Sequence, residues 1–397
     1  MPSSPQTLHG SARSRIIGLI VTMIMVHIAF CGGRVALSLY AIHQHASTFT
    51  VGLVVSLLSV VPMLISVHLG RWTDRVGIAR PALISMVGVT VGVLLPAFYE
   101  SIFVLYGSSL ILGSSFMVLH IATNNAVGHA STAQTRTQVF TWLAMGFSVS
   151  SIMGPVVAGF AIDHVGHARS FVVLALFPFI PLVIFLMRRP AVEPVRVAFE
   201  RPADAHVMDL LRDSRMRAVF IASGLMSMSW DMFTFMVPVQ GTRIGLSASS
   251  IGIVMGCFGV ATFVVRLFLP LLSRRLTEWH ILTMSLGVSA VGYGLFPLFT
   301  ALPVLLALAF FLGLGLGAAQ PMVLSLIHQV APPGRTGEAI GVRTSFLNSS
   351  QTVMPLLLGG VGAAAGMVPA FWAIALLMAA GSVFTGKRGK GGGLDRP

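Results

Sequence analysis

Residues 70–80 read GRWTDRVGIAR, three arginines and one aspartate within a chain in which only 9% of residues are charged. Apolar runs stand on both sides, at about 51–69 and 81–99. Each is long enough to cross a bilayer, which takes about 20 apolar residues. A charged turn held between two such runs makes the chain a membrane protein whose spans are tied by a deliberate polar device.

The rest of the chain agrees. It has 397 residues, 55% of them hydrophobic, with a mean hydropathy of +0.88. A soluble protein of that length could not bury so much apolar surface. Backbone groups in lipid must bond within their own segment, so helices are expected, and the runs lack the short alternating pattern of a membrane barrel. Twelve spans are predicted, at about 16–41, 51–69, 81–99, 102–126, 138–161, 170–187, 217–239, 248–272, 281–298, 302–329, 339–363 and 367–385. The first is longer than a signal-peptide core and is expected to be retained. Cys31 and Cys257 both fall in spans and read as apolar filler, with no disulfide framework or metal cluster to be made from them.

The net charge of +13 is a topology signal. With the N-terminus placed in the cytoplasm, twenty of the 25 Lys and Arg fall in cytoplasmic segments, Arg169 and Arg243 fall outside, and Arg34, Arg266 and Arg343 fall within spans. That is the positive-inside bias, and it leaves no case for nucleic-acid binding. The expected location is a bacterial-type inner membrane with both termini cytoplasmic.

A shift of 200 positions superposes Ser47 on Ser247, Gly52 on Gly252, Val54 on Val254, Val60 on Val260, Leu69 on Leu269, Arg75 on Arg275 and Ser85 on Ser285, then Pro155 on Pro355 and Gly159 on Gly359. One register across several spans implies two related six-helix halves. The expected organisation is an N-terminal arm (1–15), a first half (16–187), a cytoplasmic linker (188–216), a second half (217–385) and a basic tail (386–397). Residues 206–216 read as an amphipathic surface helix or a solvated tether.

The stretch at 70–80 resembles motif A of the major facilitator superfamily, approximately G-x-L-x-D-R-x-G-R-R/K. Gly70, Asp74, Arg75, Gly77 and Arg80 match, in the loop between spans 2 and 3; Trp72 and Ile78-Ala79 depart from the pattern. The resemblance implies a fold of twelve helices in two pseudo-symmetric halves that rock about a central site. It also implies a latch centred on Asp74, which accepts charge-assisted bonds across the seam. The plainer alternative is a positive-inside loop with one acid. The second copy, LPLLSRRLTEW at 269–279, has Arg274 where Asp74 stands, so gating is expected to be asymmetric. Span 5, GFSVSSIMGPVVAG at 146–159, partly resembles the family's antiporter motif C through Gly146, Gly154, Pro155 and Gly159, with Ser150 replacing a glycine. There Pro155 is expected to bend the helix. The arginine of the proton-linked motif B is missing; Ser109 stands near its place.

Of the twelve Asp and Glu, only Asp231 lies deep in a span. A charge there costs roughly 2.5–3.5 kcal/mol on insertion scales, which makes it a functional candidate. The offset places it on Cys31, about one helical turn from Arg34. Asp231 is expected either to carry a coupling proton, pulled in opposite directions by burial and by Arg34, or to form a fixed pair with Arg34 that closes the periplasmic side. Arg266 and Arg343 are expected to snorkel from span ends to the headgroups, or to attract an anionic substrate. His120, Gln320, Asn348 and Gln351 are candidate cavity residues, and Trp230 a candidate aromatic wall.

HExxH, Walker-type glycine loops and GxSxG are absent from the sequence, which argues against a membrane-embedded enzyme of those classes and against an ATP-driven pump. A channel fits poorly with a charged latch. The expected activity is proton-coupled export of small organic compounds by alternating access, with import of an organic anion by symport as the alternative. The expected partners are a small-molecule substrate, protons and the lipid bilayer, with no cofactor or metal, and the chain is expected to act as a monomer.

Overall fold

The structure, a computed structural model, describes residues 10–130, 136–188, 207–332 and 335–391. Within them the chain is helical: α1 (Gly10–His43), α2 (Thr48–Val76), α3 (Ala79–Phe98), α4 (Ile102–Ala130), α5 (Arg136–Val165), α6 (His167–Arg188), the short α7 (Val207–Arg212), α8 (Ser214–Arg243), α9 (Ala248–Leu272), α10 (Glu278–Leu295) with a 3-10 turn at Phe296–Leu298, α11 (Leu302–Val330), α12 (Thr336–Ala365) and α13 (Met367–Gly391). Eleven of these helices are long and apolar enough to cross a membrane. The other long one, α12, has 30 residues but carries Arg343, Asn348, Gln351 and Thr352 on its way through, which lowers its hydropathy. Large apolar side chains such as Phe98, Phe103, Met187 and Leu376 face outward and exposed, as lipid-facing positions do.

The helices zigzag between two ends of the bundle. One end, called proximal here, holds the start of α1 and the end of α13. The other, distal, holds the turns at 44–47, 166 and 244–247. Short caps set these distal turns: Ser47 Oγ accepts from Thr50 N at 3.2 Å and Ser247 Oγ from Ser250 N at 3.2 Å, the same cap at both repeat positions.

Between the two sets of helices, contact runs mainly along α2–α12 and α5–α9, with a smaller α1–α8 contact. Small residues make these approaches possible. A Cβ on Gly52 would strike the Pro355 carbonyl oxygen, and one on Gly252 would lie 2.5 Å from the Pro155 carbonyl oxygen. A Cβ on Gly159 would likewise strike the Ala248 carbonyl oxygen. The repeated Gly and Pro positions are thus reciprocal: each half's proline carbonyl receives the other half's glycine. Within the first half, Gly32 and Gly154 bring α1 and α5 together, a Gly154 Cβ falling 2.7 Å from Cys31 Cβ, while Gly146 lies against Ile24. The α5 helix runs unbroken through Pro155, so these positions set helix approach.

The stretch that opened the sequence reading is mostly helix. α2 continues through it to Val76, and the turn is confined to Gly77 and Ile78. Gly77 has φ +71° and donates its N–H to Thr73 O at 3.0 Å, a left-handed ending that glycine adopts without steric cost. The side chains of Gly70, Asp74 and Arg75 lie outside the described residues; Arg80 is exposed at the start of α3. In the second half α9 stops earlier, at Leu272, and α10 begins behind a Thr277 cap.

The linker stretch 189–206 lies outside the described residues. After it, α7 turns inward: Leu210 is buried, and Asp209 Oδ2 lies 3.8 Å from Arg335 Nη1. Arg335 also donates from Nε to Glu338 Oε2 at 2.8 Å, and that bond first of all raises its pKa further. The apolar side of this short helix therefore meets protein.

Candidate functional site

The interior of the bundle is apolar, which makes each polar group in it conspicuous. Asp231 sits on α8, 2% exposed, with its Oδ1 3.6 Å from Nη1 of Arg34 on α1. The pair joins the two sets of helices about 18 Å along α8 from its distal end, by helical rise. It is incomplete. The separation exceeds a good charge-assisted bond, and Asp231 Oδ2 and Arg34 Nε have no hydrogen-bond partner among the described residues. The Gln351 side chain from α12 also lies against the Asp231 carboxyl, and Gln351 Oε1 accepts from Ser59 Oγ of α2 at 3.1 Å. Tyr293 of α10 donates to Ser229 O behind the acid. Neighbouring Trp230 stands edge-on to Phe258 at 4.9 Å, and Phe233 stacks on Phe258 at 4.1 Å. Trp230 is thus part of an α8–α9 aromatic contact.

Arg266 and Arg343 do not reach outward. Arg266 of α9 donates from Nη1 to Ser148 Oγ of α5 at 2.8 Å, from Nη2 to Gln320 Oε1 of α11 at 3.3 Å, and from Nε to Gly317 O at 3.4 Å. Arg343 of α12 is 7% exposed and donates from Nε to Ser223 Oγ of α8 at 2.9 Å. The expected snorkelling is therefore overturned for both: inward hydroxyl and carbonyl acceptors lie within reach, so the side chains are spent there. Neither has an acidic partner among the described residues. Asn348 is buried on α12 with an unpartnered Nδ2.

His120 of α4 belongs to a ring cluster that the sequence reading missed. His27 and Phe30 of α1, Phe116 and His120 of α4 and Phe147 of α5 interlock: Phe30 stacks on Phe116 at 4.1 Å, His27 meets Phe116 at 5.2 Å and Phe147 at 4.9 Å, and His120 meets Phe147 at 5.5 Å. Rings scattered over three helices leave no local pattern; only the spacings His27/Phe30 and Phe116/His120 hinted at shared faces.

The distal ends of the two seams are closed by charge. Asp163, at the end of α5, accepts from Ala248 N at 3.1 Å and Ser249 N at 2.7 Å. A carboxylate there satisfies the first amides of α9 and meets its positive end. At the other seam Arg243 donates from Nη2 to Thr48 Oγ1 at 2.9 Å and to Gly362 O at 3.4 Å. It borders a cavity of about 310 Å³ lined by Ile42, Ser47, Thr48, Val51, Val239 and Ala363, among others. Among the described residues no His, Cys, Asp or Glu cluster suited to a metal ion is present.

Comparison with known proteins supplies the wider frame. The profile of the Major Facilitator Superfamily matches residues 19–302 and 219–390. The class D tetracycline resistance protein of Salmonella ordonez is 25% identical over 323 residues, covering 77% of this chain and 78% of that protein. A cyanate transport protein of Escherichia coli (strain K12) is 25% identical over 291 residues, covering 72% of this chain and 74% of its own. Among solved structures, a POT family transporter in complex with 5-aminolevulinic acid aligns with a TM-score of 0.79 at 14% identity, covering 95% of this chain and 96% of that one.

Proposed function

Because the chain belongs to the Major Facilitator Superfamily, and is on that ground a membrane transporter, we propose that it is a proton-coupled exporter of small organic compounds, working in a bacterial-type inner membrane by alternating access. The observation that carries this reading is the incomplete Arg34–Asp231 pair. A buried ion pair repays its desolvation only when geometry and hydrogen bonding are good. This one is stretched and leaves a polar atom unpartnered on each side, so proton uptake by Asp231 and separation of the pair is a low-cost alternative. The pair bridges α1 and α8, so its charge state is felt by both sets of helices.

With the distal face as the periplasmic one, the arrangement reads as an inward-facing state. Its periplasmic side is held by the reciprocal glycine–proline seams, by Asp163 on α9 and by Arg243 between Thr48 and Gly362. Outward opening parts these contacts, and the motif A residues Asp74, Arg75 and Arg80 with Gly70 and Gly77 then latch the cytoplasmic side. Gly146, Gly154, Pro155 and Gly159 set the α5 approaches that make the closed seam. Arg34 and Asp231 couple, while His120, Gln320, Gln351, Asn348, Arg266 and Arg343 meet substrate or hold the helices that do. The similarity to tetracycline resistance proteins supports export.

A second reading, symport of an organic anion into the cell, is favoured by two observations: Arg266 and Arg343 lie within spans without acidic partners among the described residues, and a similar protein is a cyanate transport protein. Proteoliposomes with an imposed pH gradient, tested with tetracycline and with cyanate, separate the two. Tetracycline flux driven by the gradient and lost in Asp231→Asn supports the exporter; gradient-driven flux that survives Asp231→Asn refutes coupling through this acid.

A further inference from the structure

Three members of the ring cluster, His27, His120 and Phe147, lie at the depth of Arg266, with Phe30 and Phe116 about one turn nearer the distal end. His27, Ser148, Arg266 and Gln320 each lie 16 to 18 residues from the distal ends of their helices, roughly 24–27 Å by helical rise. Phe147, the ring nearest His27 and His120, is followed in sequence by Ser148, and Ser148 is the hydroxyl that Arg266 reaches from the other half at 2.8 Å. His27, Phe30, His120 and Phe147 are half-buried, and Arg266 keeps partial exposure. One half thus supplies an aromatic platform, and the other brings a guanidinium to the residue that follows Phe147.

Among the described residues that guanidinium is served only by dipoles: a serine hydroxyl, a glutamine carbonyl and a backbone carbonyl. A cation within a membrane span held by neutral groups alone is under-compensated. A carboxylate would form stronger, charge-assisted and bidentate bonds with it, while rings prefer to pack on rings in stacked or edge-on geometry. Arg343, by contrast, is almost fully buried against Ser223 and is away from the ring cluster's helices.

We propose that this is a binding site for an aromatic carboxylate, the ring lying against the Phe30–Phe116–Phe147 cluster and the carboxylate on Arg266. Binding exchanges the Arg266–Ser148 bond for an Arg266–ligand bond, so it removes the polar tie at the inner end of the α5–α9 seam while the ligand itself comes to span both halves. The binding claim stands on these residues; its consequence for seam opening rests on the transporter reading.

The test uses the full chain in lipid nanodiscs with benzoate, benzamide and cyclohexanecarboxylate as probes, read by thermal unfolding. Benzoate is expected to raise the unfolding midpoint in a saturable way, with benzamide and cyclohexanecarboxylate about tenfold weaker. Arg266→Gln removes the response to benzoate and Arg266→Lys weakens it. Ser148→Ala leaves it equal or tighter, because the competing hydroxyl is gone. Phe147→Leu, the milder change should Arg266→Gln fail to fold, brings benzoate down to the level of cyclohexanecarboxylate. Benzamide binding as well as benzoate, or an Arg266→Gln protein that keeps the preference for benzoate, overturns the site. Charge- and Arg266-dependent binding without counterflow of labelled benzoate overturns transport through the site and leaves the site standing. Tetracycline flux with no binding of any probe overturns the site and leaves the transporter.

Discussion

The two seams of the bundle are alike in packing and unlike in charge. Along α2–α12, Gly52 receives Pro355; along α5–α9, Gly252 receives Pro155. At the distal end of one seam Asp163 caps α9. At the equivalent place of the other, 200 positions on, stands Ala363, and closure falls to Arg243. The shared glycines show what the geometry of closure demands of any such seam. The differing charges show that the strength of closure is set separately on each side.

The comparison breaks most severely at the glycines. Gly252→Leu drives a side chain into the Pro155 carbonyl, and overpacking of this kind costs about 1–3 kcal/mol or more. Gradient-driven uptake in proteoliposomes should fall by at least about tenfold, and Gly52→Leu should match it because the seams are sterically equivalent. Asp163→Asn removes a charge from a helix N-terminus and weakens two bonds, a loss of about 1 kcal/mol. Spin labels on the distal turns at 45 and 245 should then report a larger open population, whereas no change would show that Asp163 contributes nothing to closure. Grafting the acid, Ala363→Asp, should place a carboxylate near Arg243 and the start of α2. Closure of that seam should strengthen by about 0.5–1 kcal/mol, with slower turnover and a smaller open population in the same measurement. Arg243→Gln, on an exposed and doubly bonded side chain, should have the smallest effect, a shift of less than about 1 kcal/mol, and should abolish any gain in Ala363→Asp.

The sequence made parts of this legible for physical reasons. Apolar runs report spans directly, because lipid forces each one to close its own hydrogen bonds. The register of 200 singled out Ser47 and Ser247, Gly52 and Gly252, and Pro155 and Pro355, because close helix contact admits few residue types; that the serines cap helices and that each glycine meets the other half's proline came from the structure. It did not reveal Asp163, whose place at the end of a span looks like an ordinary interfacial acid until the start of α9 is brought to it. The comparison of Asp163 with Ala363 in that register was the available signal. Arg266 misled for a related reason: distance from a span end says how far a side chain could reach outward, and nothing about the acceptors that wait inward. The helix boundary at Val76 was also hidden, since the polar letters of 70–76 resemble a loop and are in fact the last turns of α2.

That last feature has a mechanical meaning. With only Gly77 and Ile78 between them, the facing ends of α2 and α3 stay together, and α2 is one continuous helix of 29 residues with Pro62 inside it. Its contact at Gly52 sits near one end. From there to Val76 the helix extends roughly 36 Å, so a tilt of about ten degrees of the whole helix about that pivot carries its far end through roughly 6 Å. The helix is a lever with a short grip and a long throw, and the charged residues lie on the end that travels.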